Sequence, residues 1–192
     1  MKALLKISRA IDAVNERIGR TVLWLVLAMA LVSTINALVR YLLNRSSNAW
    51  LELQWYLFAA VFLLCAGYTL LHNEHIRIDV LSSRLSARSR LWIDAIGTVL
   101  FLLPVSMFIV WLSWPIFVNA WVSNEMSSNA GGLVRWPARL LVPVGFLLLS
   151  LQGLSELIKR VAALKGLIPD ALATTAAPLP LATTSDLPGV PR

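Results

Sequence analysis

From Thr21 to Leu43 the chain is apolar apart from scattered hydroxyls, amides and one arginine, and comparable windows run from Ala49 to Leu71, Leu91 to Val118 and Ala138 to Ile158. Each is long enough to cross a hydrocarbon core of ~30 Å, which takes about 20 residues at ~1.5 Å rise. Backbone groups in lipid have to be satisfied within the segment, and barrel strands would be ~10 residues of alternating polarity, so unbroken windows of this length read as helices. The expectation is an all-α integral membrane protein with four transmembrane helices at 21–43, 49–71, 91–118 and 138–158. The third window is longer than the bilayer requires and is expected to tilt, to kink at Pro104 or Pro115, or to project. The first is preceded by 20 residues and is about twice the length of a signal-peptide core, so it is expected to stay as an anchor.

The segments between the windows carry their own patterns. In residues 1–20 Leu4, Ile7, Ile11, Val14 and Ile18 recur at three and four, with Lys6, Arg9, Asp12, Glu16 and Arg20 between them. That is an amphipathic helix, suited to lie in the membrane interface or to pack on a neighbouring protein. In the stretch LHNEHIRIDVLSSRLSARSR, Ile76, Ile78 and Val80 alternate with Arg77 and Asp79, after which Leu81 and Leu85 return to helical spacing. This reads as a short extended connector followed by an interfacial helix. Residues 166–192 are rich in Pro, Ala and Thr, show no period, and are expected to form a disordered tail.

Charge sets an orientation. Lys2, Lys6, Arg9, Arg17 and Arg20 precede the first window, Arg77, Arg84, Arg88 and Arg90 lie between the second and third, and Lys159, Arg160 and Lys165 follow the fourth. Only Arg40, Arg45, Arg135 and Arg139 flank the other two loops. The positive-inside rule therefore puts both termini and the middle loop in the cytoplasm. It also accounts for most of the net charge of +7, with contact to anionic membrane lipid as a further use of these cations. Because the cations are divided among juxtamembrane segments and do not gather on one soluble face, no nucleic-acid partner is expected.

Composition agrees, with 58% hydrophobic and 14% charged residues, far from the soluble average. Trp50, Trp55, Trp111, Trp114, Trp121 and Trp136 fall near the outer ends of the windows, and Trp24 and Trp92 near the inner ends. An interfacial belt explains them, and so does an outer rim that floors a docking surface; the candidate rim is Trp50, Trp55, Trp121 and Trp136. Cys65, the single cysteine, has no intrachain partner and reads as packing.

Candidate chemistry is sparse. His72 and His75 could place two ligands on one helical face, but no third or fourth ligand converges on them. Haem would want axial histidines inside the spans. No nucleophile has a base and no phosphate loop is present, so neither an enzyme nor a bound cofactor is expected. Glu52, Gln54, Asp94 and Glu156 lie within the windows but near their ends, where snorkelling or capping competes with a functional role. Glu52, set among Trp50, Leu51, Leu53 and Trp55, calls for a partner, either Arg45 or a cation on another subunit. No chain of carboxylates crosses the bilayer and the two halves do not repeat, so the marks of a self-sufficient secondary transporter are missing. Gly67, Gly97, Gly145 and Gly153 offer close helix approach within the chain or with a partner.

The run AWLELQWYLFAAVFLLCAGYTLLHNEHIRIDVL, then LWIDAIGTVLFLLPVSMFIVWLSWP, then SNEMSSNAGGLVRWPARLLVPVGFLLLSLQGLSELIKR, resembles the small permease subunit of tripartite ATP-independent periplasmic (TRAP) transporters, the DctQ type, over roughly residues 15–160. The likeness is carried by Glu52 early in the second span, by His75 to Asp79, and by Gly131-Gly132 leading to Arg135-Trp136-Pro137. Family members often carry a second acid beside the position of Glu52, where this chain has leucines. The resemblance implies a multi-pass protein of the bacterial inner membrane that braces a large multi-span permease subunit. It also implies a share in docking a periplasmic solute-binding protein for organic-acid uptake, with sodium coupling in the large subunit. On that reading Glu52, Arg77, Asp79 and Arg135 are candidate interface or structural residues, and Arg77 and Asp79 could pair with the large subunit. A haem or quinone anchor of a respiratory enzyme and an independent small transporter are the alternatives.

Overall fold

A computed structural model describes residues 1–44, 47–72 and 86–167. Its helices are α1 (Lys2–Leu43), α2 (Asn48–Leu71), α3 (Ala87–Gly97), a π-helical turn (Thr98–Leu102), α4 (Leu103–Val122) and α5 (Trp136–Leu164). Four of the resulting rods are long and apolar enough to cross a membrane: α1, α2, the rod from Arg88 to Val122, and α5. Arg45, His75, Arg77 and Asp79, together with most of the expected connector, residues 81–85 of the expected interfacial helix and the tail beyond Leu167, lie outside the described residues.

The amphipathic segment at 1–20 and the first span form one helix of 42 residues, about 63 Å long at 1.5 Å per residue and so twice the hydrocarbon thickness. It ends at Asn44, whose left-handed backbone (φ 47°) stops the helix, a conformation asparagine tolerates better than most residues. Along the amphipathic part Leu4, Ile7 and Val14 point outward and are exposed. The face turned to the protein is polar and small instead, with Ser8, Asn15, Gly19 and Val22 buried.

The third rod opens at Ser86, whose hydroxyl accepts the Ser89 backbone N–H at 3.2 Å, an N-cap that satisfies one otherwise free donor. Its irregularity falls just before Pro104. There Leu103 N–H reaches back five residues to the Thr98 carbonyl. Proline crowds the carbonyl four residues before it, and a widened turn relieves that clash. Ser106 Oγ then takes up the Leu102 and Leu103 carbonyls at 2.5 and 3.2 Å.

α5 is the organiser. It packs on α1, on α2 and on the α3–α4 rod, and 44% of its apolar window is buried against 11% of the window in α1. α1 and α2 also pack on each other, while α4 leans on α5. The α2–α5 contact is close: a Cβ at Gly145 would stand 2.7 Å from the Leu63 carbonyl oxygen. Gly97, in contrast, has nothing within 4 Å of its Cβ position, so it serves no close approach among the described residues.

Candidate functional site

Two groups of polar side chains sit at opposite ends of the bundle. The first is built on Glu52, in the opening turn of α2, which is only 2% exposed. Its carboxylate is turned toward the loop between α4 and α5. One oxygen accepts from Ser127 Oγ and, at 2.9 Å, from Asn129 Nδ2. The other accepts from the Leu133 backbone N–H at 2.6 Å. One acid thus holds three points of a loop that runs from Ser123 to Arg135.

The rest of the loop is tied to itself and to α2. Met126 and Val134 form an antiparallel bridge, with Ser127 N–H to Leu133 O at 3.0 Å and Arg135 N–H to Glu125 O at 2.8 Å. Tyr56 Oη donates to the Val134 carbonyl at 3.0 Å, and Asn48 Nδ2 to the Ala130 carbonyl at 2.9 Å. Gly131 makes the reversal with φ 69°. At Gly132 a Cβ would come 2.5 Å from Ser127 Cβ and 2.8 Å from Glu52 Oε1, so only glycine lets the strand lie on the carboxylate. Glu125 collects Arg139 at 2.6 Å and Arg135 at 3.6 Å, and Trp121 meets Trp136 edge to face at 4.5 Å. The loop's two ends are thereby clamped by an ion-pair cluster and an aromatic pair.

Of the residues singled out in the sequence, Glu52, Arg135, Trp121 and Trp136 meet in or beside this loop. Trp50 and Trp55 stand on α2 at the same end, 40% and 50% exposed. The partners of Glu52 are a hydroxyl, an amide and a backbone N–H. Of the expected cations, Arg45 lies outside the described residues, and Arg135 beside the loop is engaged with Glu125 and Ser128. Ser127 and Asn129 drew no attention in the sequence, although a Ser-Ser-Asn-Ala-Gly-Gly run is the composition of a turn.

The second group joins the start of α1 to the end of α5. Gln152 Nε2 donates to Asp12 Oδ1 at 2.9 Å and its Oε1 accepts from Asn15 Nδ2 at 2.9 Å. Ser155 Oγ donates to Asp12 Oδ1 at 2.6 Å and lies 2.7 Å from Ser8 Oγ. Lys159 pairs with Asp12 at 3.2 Å and with Glu156. Alongside, Arg160 reaches Asp94 at 3.9 Å and Thr98 Oγ1 at 2.7 Å, which ties α5 to the rod of α3. His72, at the end of α2, sits 3.3 Å from Glu16 of α1.

These two groups bind the chain to itself, and the fold around them is that of a multi-pass helical membrane protein. Residues 10–163 match the family described as tripartite ATP-independent periplasmic transporters, DctQ component. The chain belongs to that family, and is therefore the small membrane component of a tripartite transporter. Comparison with curated proteins and with solved structures found no match.

Proposed function

We propose that this chain is the fixed brace of an organic-acid uptake system in the bacterial inner membrane. It holds a large sodium-coupled permease subunit and lends its outer rim to a periplasmic solute-binding protein. The observation that carries this reading is where the ionisable side chains are. No Asp, Glu, Lys, Arg or His occurs in 21–39, 53–71, 95–122 or 140–155, and near the span ends Asp12, Glu52, Asp94, Glu125, Arg139, Lys159 and Arg160 tie helix to helix or helix to loop. Charges are costly within the bilayer and usually mark a transport route when they occur there. A chain that keeps them at its ends, in internal clamps, is suited to hold its shape while a companion moves. The Glu52-pinned loop and the tryptophans beside it then give the binding protein a stable floor on the periplasmic side, with the chain termini in the cytoplasm. Arg77 and Asp79 are proposed to pair with the large subunit on the cytoplasmic side.

The test is reconstitution. Liposomes with this chain alone are expected to show no sodium-driven uptake, and those with the large subunit and binding protein added to show it. Uptake by the lone chain would end the proposal. Retention of full complex recovery and uptake by both Arg77→Ala and Asp79→Ala would remove the role given to that pair.

A further inference from the structure

α1 carries a second polar stripe, on a face that the bundle leaves open. Ser33, Asn36, Arg40 and Asn44, with Gln54 of α2 opposite, line a groove of about 560 Å³. Asn36 is only 8% exposed, lines this groove, and makes no hydrogen bond among the described residues. Arg40 is exposed and forms no ion pair among them. An amide that opens into this groove without a partner, beside a guanidinium with no ion pair among the described residues, is costly at the edge of the membrane unless something supplies the missing groups.

Depth decides between a lipid and a protein. α1 ends at Leu43, so Asn36 lies about 10 Å and Ser33 about 15 Å inward along the helix. Half of a hydrocarbon core is ~15 Å, which puts Ser33 near its middle. A lipid phosphate stays in the headgroup layer, where it can meet Arg40 and Asn44 but not Asn36 or Ser33. Acyl chains beside those two would leave an amide and a hydroxyl unanswered. A helix laid along the stripe reaches all of them. Ser33 and Ala37, four apart and both exposed, give the small-residue spacing that lets two backbones come close.

We propose that this groove seats a transmembrane helix of the large companion subunit. That helix carries a carboxylate opposite Arg40 and a hydrogen-bonding side chain opposite Asn36. The inference rests on the reading of the chain as a brace for such a subunit, and adds which face docks it and by what chemistry.

Photo-reactive p-benzoylphenylalanine placed at Ser33 or Ala37, with Phe108 or Trp111 on exposed α4 as controls, tests it in membranes containing the whole complex. Cross-links to the large subunit from the α1 positions and not from α4 are the expected result. Arg40→Glu is expected to lower recovery of the complex about tenfold. Asn36→Leu should also lower recovery while the purified chain keeps its melting temperature, which separates lost docking from lost folding. Co-purification of the large subunit with cross-links from α4 alone, or from α1 to lipid alone, overturns the inference and leaves the brace reading standing. No co-purification of the unmodified chain with a large subunit overturns both.

Discussion

Glu52 shows why one acid can outweigh its neighbours. Its two oxygens satisfy a hydroxyl, a side-chain amide and a backbone N–H, and stripping a partner from a buried donor costs about 1–3 kcal/mol per group. Glu52→Ala is therefore expected to speed amide hydrogen exchange at Leu133 by about 10- to 100-fold while the middle of α5 stays protected. Unchanged exchange across the loop would mean that the carboxylate does not hold it. Gly132→Ala should have a similar local effect through collision with Ser127 and Glu52. Glu52 was visible in the sequence as a carboxylate among apolar residues that needed a partner. The partner was not, because a glutamate looks for cations on paper, whereas here a serine, an asparagine and a main-chain N–H surround it. Their positions depend on how the loop folds back 75–81 residues later.

Among the elements, the four long apolar helices were legible in the sequence, since about 20 apolar residues in a row have few other uses, although the first runs unbroken from Lys2. The third rod could be foreseen as irregular, and Pro104 is where its turn widens. α1 carries two patterns. Leu4, Ile7, Ile11, Val14 and Ile18 make the amphipathic face expected to meet the membrane interface or a neighbouring protein, and the structure leaves Leu4, Ile7 and Val14 exposed while turning polar and small residues inward. Ser8, Asp12, Asn15, Gly19 and Val22 also recur at four and three. In lipid that second set is the informative one, because apolar side chains gain nothing from leaving the hydrocarbon and helices associate through small residues and hydrogen bonds. Gln152 answers this face from α5. Gln152→Leu is expected to lower stability by roughly 1–2 kcal/mol, as a fall in melting temperature in detergent. Gly145→Val, driven against Leu63, should also lower it, by about 1–3 kcal/mol or more, whereas Gly97→Ala should be neutral or slightly stabilising because nothing stands near it. Equal losses at Gly97 and Gly145 would contradict the α2–α5 packing.

On the scale of the whole molecule, α5 packs on every other span among the described residues. Translation runs from the amino end, so α1, α2 and the α3–α4 rod enter the bilayer before their common neighbour exists. Until then their polar faces, Asp12 and Asn15 on one side and Thr98 and Ser106 on the other, lack Gln152, Ser155, Arg160 and Ser150. A chain stopped after Arg135 is accordingly expected to insert three helices of which α1 and α2 pair while the α3–α4 rod stays undocked, and pulse-chase labelling should find it degraded several-fold faster than the full chain. The helix that gives this protein its form is the last of the four to be made, so biogenesis has a waiting period in which unfinished chains expose polar groups that quality control can recognise.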